Sequence, residues 1–186
     1  PFMCNGANMS FTKEAFQQVN GYEDNLHISS GDDIFLLEKL AAEDVMKCHY
    51  LKNPEAVVTT FPKQHLKEVI LQRARWAQKG SETKSLLNKL VSFQVLLMSL
   101  LFVCSPILWY FSLLTDQMLI GILITKAFTD VIVLVVGDQF FENVNWKFVG
   151  INFLLYPFLV LLIALKSLSK PQWQGREINA STSPQD

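Results

Sequence analysis

The chain has 186 residues, of which 50% are hydrophobic and 18% charged, with a formal net charge of −1 at pH 7. A charge this balanced leaves no electrostatic footprint for nucleic acid. The apolar residues are unevenly spread: charge gathers in residues 1–89 and 90–166 is almost continuously apolar, so a polar domain precedes a membrane region. The chain opens at Pro1 in a strand-like run without an initiator Met, and is read as the C-terminal part of a longer protein.

Residues 2–11 read as a strand with Gly6 and Ala7 at its centre, where a backbone or ligand can approach closely. Thr12 suits the N-cap of a short helix over 13–19, which Asn20-Gly21 ends. A polar loop over 22–31 closes on Ser29-Ser30-Gly31. A helix then opens at Asp32-Asp33, with Ile34, Phe35, Leu37, Leu40 and Ala41 as its apolar stripe. Residues 45–51 and 56–61 read as two short strands parted by Asn53-Pro54.

Pro62 and Lys63 lead into a helix over 66–79. On it Gln72, Arg75 and Trp76 fall at i, i+3 and i+4 and share a face, with Leu66, Ile70 and Ala77 turned toward a core. An amide, a permanent cation and a flat ring suit a sugar- and phosphate-binding wall. The plainer reading is a juxtamembrane helix anchored at the lipid interface by its Arg and Trp.

The domain plan is therefore a polar α/β part over 1–80, an interfacial linker over 81–89, a transmembrane region over 90–166 and a polar tail over 167–186. Apolar runs lie at about 90–114, 118–137 and 148–165, with Pro106 in the first and Pro157 in the third. Lys126 and Asp130 interrupt the second at i, i+4, a spacing that lets them pair. The tail is disordered in composition from Asn179 onward.

Orientation carries a conflict. Arg73, Arg75, Lys79, Lys84 and Lys89 precede the first run and place the polar domain on the cytoplasmic side. Lys166, Lys170 and Arg176 follow the last run and ask for the same side, which three full crossings would deny them. Either the tail departs from the rule or one run does not cross, and the middle run, with its internal charges, is the candidate.

Cys4, Cys48 and Cys104 are odd in number and far apart, which suggests neither a disulfide framework nor a zinc site. His27, His49 and His65 show no ligand spacing. The acidic pair Asp32-Asp33 has a plain reading as an N-cap and acidic first turn. A carboxylate held at a helix N-terminus is also well placed to take a proton from a hydroxyl.

Three stretches in this order, Phe2-Met3-Cys4-Asn5-Gly6-Ala7-Asn8, Gly31-Asp32-Asp33 and Gln72-Arg73-Ala74-Arg75-Trp76, followed by membrane spans, resemble family 2 glycosyltransferases. The likeness is to the membrane-embedded members that include cellulose, hyaluronan and poly-N-acetylglucosamine synthases. Their Gln-x-x-Arg-Trp motif is matched at all its fixed positions. Trp173-Gln174-Gly175-Arg176 is similar to a Trp-Lys-Gly-Arg near the C-terminus of some such enzymes.

The resemblance implies an α/β fold, the C-terminal half of a GT-A nucleotide-sugar domain, followed by an all-α membrane region. It implies Asp33 as general base beside Asp32, with Gln72, Arg75 and Trp76, next to Arg73, forming the acceptor-sugar site near the nucleotide diphosphate. Cys4, Asn5 and Gly6 would line the acceptor pocket. It further implies a nucleotide-sugar donor, most simply a UDP-sugar, a glycan or lipid-linked acceptor, and Mg or Mn held mainly by an Asp-x-Asp motif earlier in the chain. The protein would sit in a bacterial inner membrane with its catalytic domain cytoplasmic, and this stretch would be inactive by itself. Processive polysaccharide synthesis, single addition to a lipid-linked acceptor, and a non-catalytic membrane scaffold are the three functions it leaves open.

Overall fold

The computed structural model describes residues 4–23, 32–141, 144–169, 172–173 and 176–177. The 24–31 part of the polar loop, with His27 and Gly31, lies outside the described residues, as do Phe2 and Met3, Gln174-Gly175 and the tail beyond Glu177. Two compact units are present: residues 1–92 with 166–186, and residues 93–165.

The first unit is built on helices. α1 (Lys13–Gln18) starts where the Thr12 hydroxyl accepts the Ala15 N–H at 3.1 Å, which satisfies one of the unpaired amides of the first turn. It ends in two left-handed residues, Asn20 at φ 53° and Gly21 at φ 49°. A Cβ at Gly21 would lie 2.4 Å from the Phe16 ring, so only glycine fits that turn. α2 (Asp32–Asp44) buries Phe35, Leu36 and Leu37; the stripe expected from periodicity is present, with Ile34, Leu40 and Ala41 half-buried, and Leu36 joins it. Lys39 ties α2 to the end of α1, its ammonium donating to the carbonyls of Gly21 (3.0 Å) and Val19 (3.4 Å), where the helix terminus carries partial negative charge.

α3 (Leu66–Glu82) buries Ala74, with Ile70 and Leu71 half-buried beside it. Leu66 and Ala77, expected on the core side, are exposed. The inward face is centred about a fifth of a turn away from the predicted one.

The expected α/β domain is not seen. Among the described residues the sole β-pairing is the two-residue Gln172–Trp173 with Arg176–Glu177 in the tail, and the polar part holds no sheet. Each segment read as a strand is instead broken by a tight turn: Gly6–Asn8 in the first, Val45–Lys47 in the second and Pro54–Ala56 just before and into the third. Side chains cap all three turns. Asn5, Asp44 and Asn53 accept the N–H two residues on, each at 3.0 Å. Met9, Cys48 and Val57 do keep extended dihedrals. A strand, however, needs a ladder partner, and none is supplied here.

The second unit is helical. α4 (Leu86–Tyr110), α5 (Asp116–Phe141) and α6 (Val149–Ser167) are long and apolar enough to cross a membrane. Large apolar side chains such as Phe128, Val133, Leu154 and Leu162 stay exposed along them, as lipid contact requires. Within the unit Phe102 and Phe153 meet edge to face at 5.2 Å. The buried Lys126 ammonium lies 5.8 Å and 5.1 Å from their ring centres and donates to Asp130. Buried Ser99 and Ser105 return their hydroxyl protons to the carbonyls of Val95 (2.8 Å) and Phe102 (3.3 Å). The turns are pinned by indoles: Trp109 donates to Asp116 (2.6 Å) and Trp146 to Asp138 (3.0 Å).

Candidate active site

The acidic pair occupies the first turn of α2, where amide N–H groups have no helical acceptor. Asp32 is exposed and Asp33 half-buried. Both oxygens of Asp33 are engaged: Oδ1 accepts its neighbour's Ile34 N–H at 2.9 Å, and Oδ2 accepts the Gly6 N–H at 2.9 Å. The Cys4 thiol donates to the main-chain carbonyl of Asp33 at 3.1 Å. Two motifs far apart in sequence are thus joined by a side-chain and a main-chain contact.

The strap carrying Cys4 and Gly6 is itself braced. Asn5 spends its side-chain oxygen on the Ala7 N–H (3.0 Å), so it turns into its own loop rather than toward Asp33. Asn8 returns its N–H to the Asn5 carbonyl (2.9 Å) and donates its amide side chain to the Ala56 carbonyl (2.6 Å). Burial, and second the Asp33 charge, push the Cys4 thiol up from 9.0 to about 11. The thiol is therefore neutral at physiological pH, as its donor role demands.

On α3, Gln72 and Arg75 are half-buried and Trp76 is 45% exposed. Arg73 stacks over the Trp76 ring, its guanidinium carbon 5.0 Å from the centroid. Among the described residues no hydrogen bond or ion pair links Gln72, Arg75 or Trp76 to Asp33. Hydrogen bonds bring the Cys4–Gly6 strap and Asp33 together; among the described residues none adds the α3 residues to them.

Three positioning residues escaped sequence reasoning. Glu38 accepts the Thr83 hydroxyl and the N–H groups of Lys84 and Ser85 (both 3.2 Å), fastening α2 to the α3–α4 turn. Gln78 donates to the carbonyls of Ser167 (2.8 Å) and Ser169 (2.7 Å). Lys39 holds the end of α1. One signal was available: Ser85 precedes an apolar run with Asn88 three residues on, and its hydroxyl accepts the Asn88 N–H at 3.3 Å, a helix start inside what reads as linker.

Among the described residues no group of three or more His, Cys, Asp or Glu side chains is placed to hold a metal; the divalent ion that the resemblance implies is expected mainly on an Asp-x-Asp motif earlier in the chain.

No curated protein and no solved structure matched the chain. The profile of a family described as glycosyl transferase family group 2 matches residues 1–166, covering both the acidic pair and the apolar helices. The chain belongs to the family 2 glycosyltransferases.

Proposed function

We propose that this chain carries the acceptor side of a membrane-bound inverting glycosyltransferase in which Asp33 is the general base. Family membership implies a nucleotide-sugar donor and an acceptor. The observation that carries the reading is the meeting of the Cys4–Gly6 strap with the Asp33 carboxylate. A carboxylate fixed by two amide N–H groups keeps further lone pairs to accept a hydroxyl proton. As the acceptor oxygen attacks the anomeric carbon, Asp33 takes its proton and the nucleotide diphosphate departs from the opposite face. Trp76 offers a ring on which a sugar stacks, and Arg75 offers charge to a phosphate. The donor on this reading is a UDP-sugar and the acceptor a glycan hydroxyl, with polysaccharide as the product.

The test uses the full-length enzyme in membranes with labelled UDP-glucose and UDP-N-acetylglucosamine, assayed separately. Asp33→Asn should lower turnover by a factor of about 10² to 10⁴, the usual contribution of a positioned base, and leave nucleotide binding within a few-fold. Turnover near that of the parent would remove Asp33 from the role. Product length in the same assay separates polymer synthesis from single addition.

The membrane reading extends this. The start of α4 and the end of α6 belong to one compact unit, and Gln78, shortly before α4, donates to carbonyls at the end of α6. Gln78 to Glu82 is the last turn of α3, so with four more residues to Leu86 this stretch spans at most about 20 Å, less than the ~30 Å hydrocarbon core. Both basic flanks then face the same side, the cytoplasmic one, and an even number of the three helices crosses fully.

A further inference from the structure

We propose that the main-chain N–H of Gly6, and no side chain of the strap, is the positioning group that aims the Asp33 carboxylate at the acceptor. This rests on Asp33 being the general base. Each carboxylate oxygen takes one amide N–H, from Gly6 and from Ile34, both at 2.9 Å. The Ile34 bond is local and comes with the helix start. The Gly6 bond is the long-range one, and it fixes the rotation of the carboxylate about its last torsion. The side chains beside it are committed elsewhere: Asn5 to Ala7, Asn8 to Ala56, and Cys4 to the Asp33 carbonyl. Those bonds hold the Gly6 amide where it is before any acceptor arrives.

The glycine is not there for lack of space. A Cβ at position 6 would lie 3.7 Å from both Cβ and Oδ2 of Asp33, ordinary contact distance. What position 6 contributes is its donor. Proline removes it at low local cost: Gly6 opens a tight turn, which suits the fixed φ of proline, and Asn5 at φ −130°, ψ 128° has the extended conformation that proline asks of its predecessor. The ring then occupies the place of the hydrogen, so the carboxylate has to turn away.

The experiment compares Gly6→Ala and Gly6→Pro in the full-length enzyme, with the same labelled UDP-sugars. Gly6→Ala, which keeps the N–H, is the reference against which the forms that lack it are read. Gly6→Pro should lower kcat on the order of 100-fold, the scale of an ångström-level misplacement, with KM for the donor within twofold. If Gly6→Pro does not fold, as judged by thermal unfolding, lactic acid at position 6 in place of the Gly6→Ala alanine removes the same N–H as a main-chain ester without a ring, and should lower kcat at least 10-fold against Gly6→Ala. Equal kcat in the N–H-bearing and N–H-lacking forms overturns the proposal, as does a loss confined to KM. The two readings fail separately: turnover surviving Asp33→Asn removes the base, whereas Asp33→Asn inactive with Gly6→Pro or the ester active removes only the positioning group.

Discussion

At Cys4, burial first and the Asp33 charge second raise the thiol from 9.0 to about 11. The protonated form is therefore favoured by folding. Its contribution to stability is complete below pH 9 and is lost as pH rises through 11. Alkylation of Cys4 in a protein lacking Cys48 and Cys104 should follow a titration with its midpoint near pH 11; a midpoint at 9 or below would show the thiol open to water. At Trp76 the prediction concerns the acceptor. Trp76→Ala should raise acceptor KM by up to about 10-fold, the scale of about 0.5–1.5 kcal/mol for a stacked ring, and leave donor KM unchanged, whereas Trp76→Phe should recover most of it. An effect confined to the donor would contradict an acceptor wall. At this scale the place of Asp33 in the first turn of a helix was legible, from the acidic pair and the apolar stripe that follows it. The donor that holds it was not, since a main-chain N–H leaves no trace in the identity of a residue.

The helices differ in what holds them. In the second unit the Lys126–Asp130 pair on α5 is backed by Phe102 of α4 and Phe153 of α6. Removing Lys126 leaves the half-buried Asp130 carboxylate without its partner, so Lys126→Met should cost on the order of 1–3 kcal/mol in detergent-solubilised protein, while Lys126→Met with Asp130→Leu should regain most of that. Thermal unfolding distinguishes them, and equal stability of the single variant and the parent would show the pair to be idle. The i, i+4 spacing announced this pair; the two aromatic rings around it come from other helices and could not be read from α5. On α3 the opposite happened. The helix itself was legible, but its inward face centres on Ala74, while Leu66 and Ala77 are exposed, because which flank of an amphipathic helix is covered depends on its partners and not on its own sequence.

For the whole molecule, the even-crossing reading predicts that Lys63→Cys and Ser169→Cys, each introduced alone into a cysteine-free protein, are labelled by a membrane-impermeant maleimide from the same side. Labelling from opposite sides would restore an odd number of crossings. The division into a charged first part and an apolar second part was plain in composition, because burial in lipid tolerates few charges whatever the fold. The sheet was the misreading. Alternation and β-branched residues at 45–51 and 56–61 report a preference for extended backbone, and Met9, Cys48 and Val57 do adopt it. Preference is local, whereas a sheet is a relation between segments.

Those extended segments have a practical side. Tyr50, Leu51, Val58 and Phe61 are exposed, Phe61 completely, on backbone that joins no β-ladder among the described residues. Such a stretch is a template that any other extended chain can complete, including a second copy of itself. Concentrated preparations should therefore self-associate through this region ahead of the apolar helices, because detergent covers the helices and leaves these unpaired backbone segments bare. Val58→Lys or Phe61→Lys places a gatekeeper charge there, and handling the protein as a monodisperse sample turns on that segment.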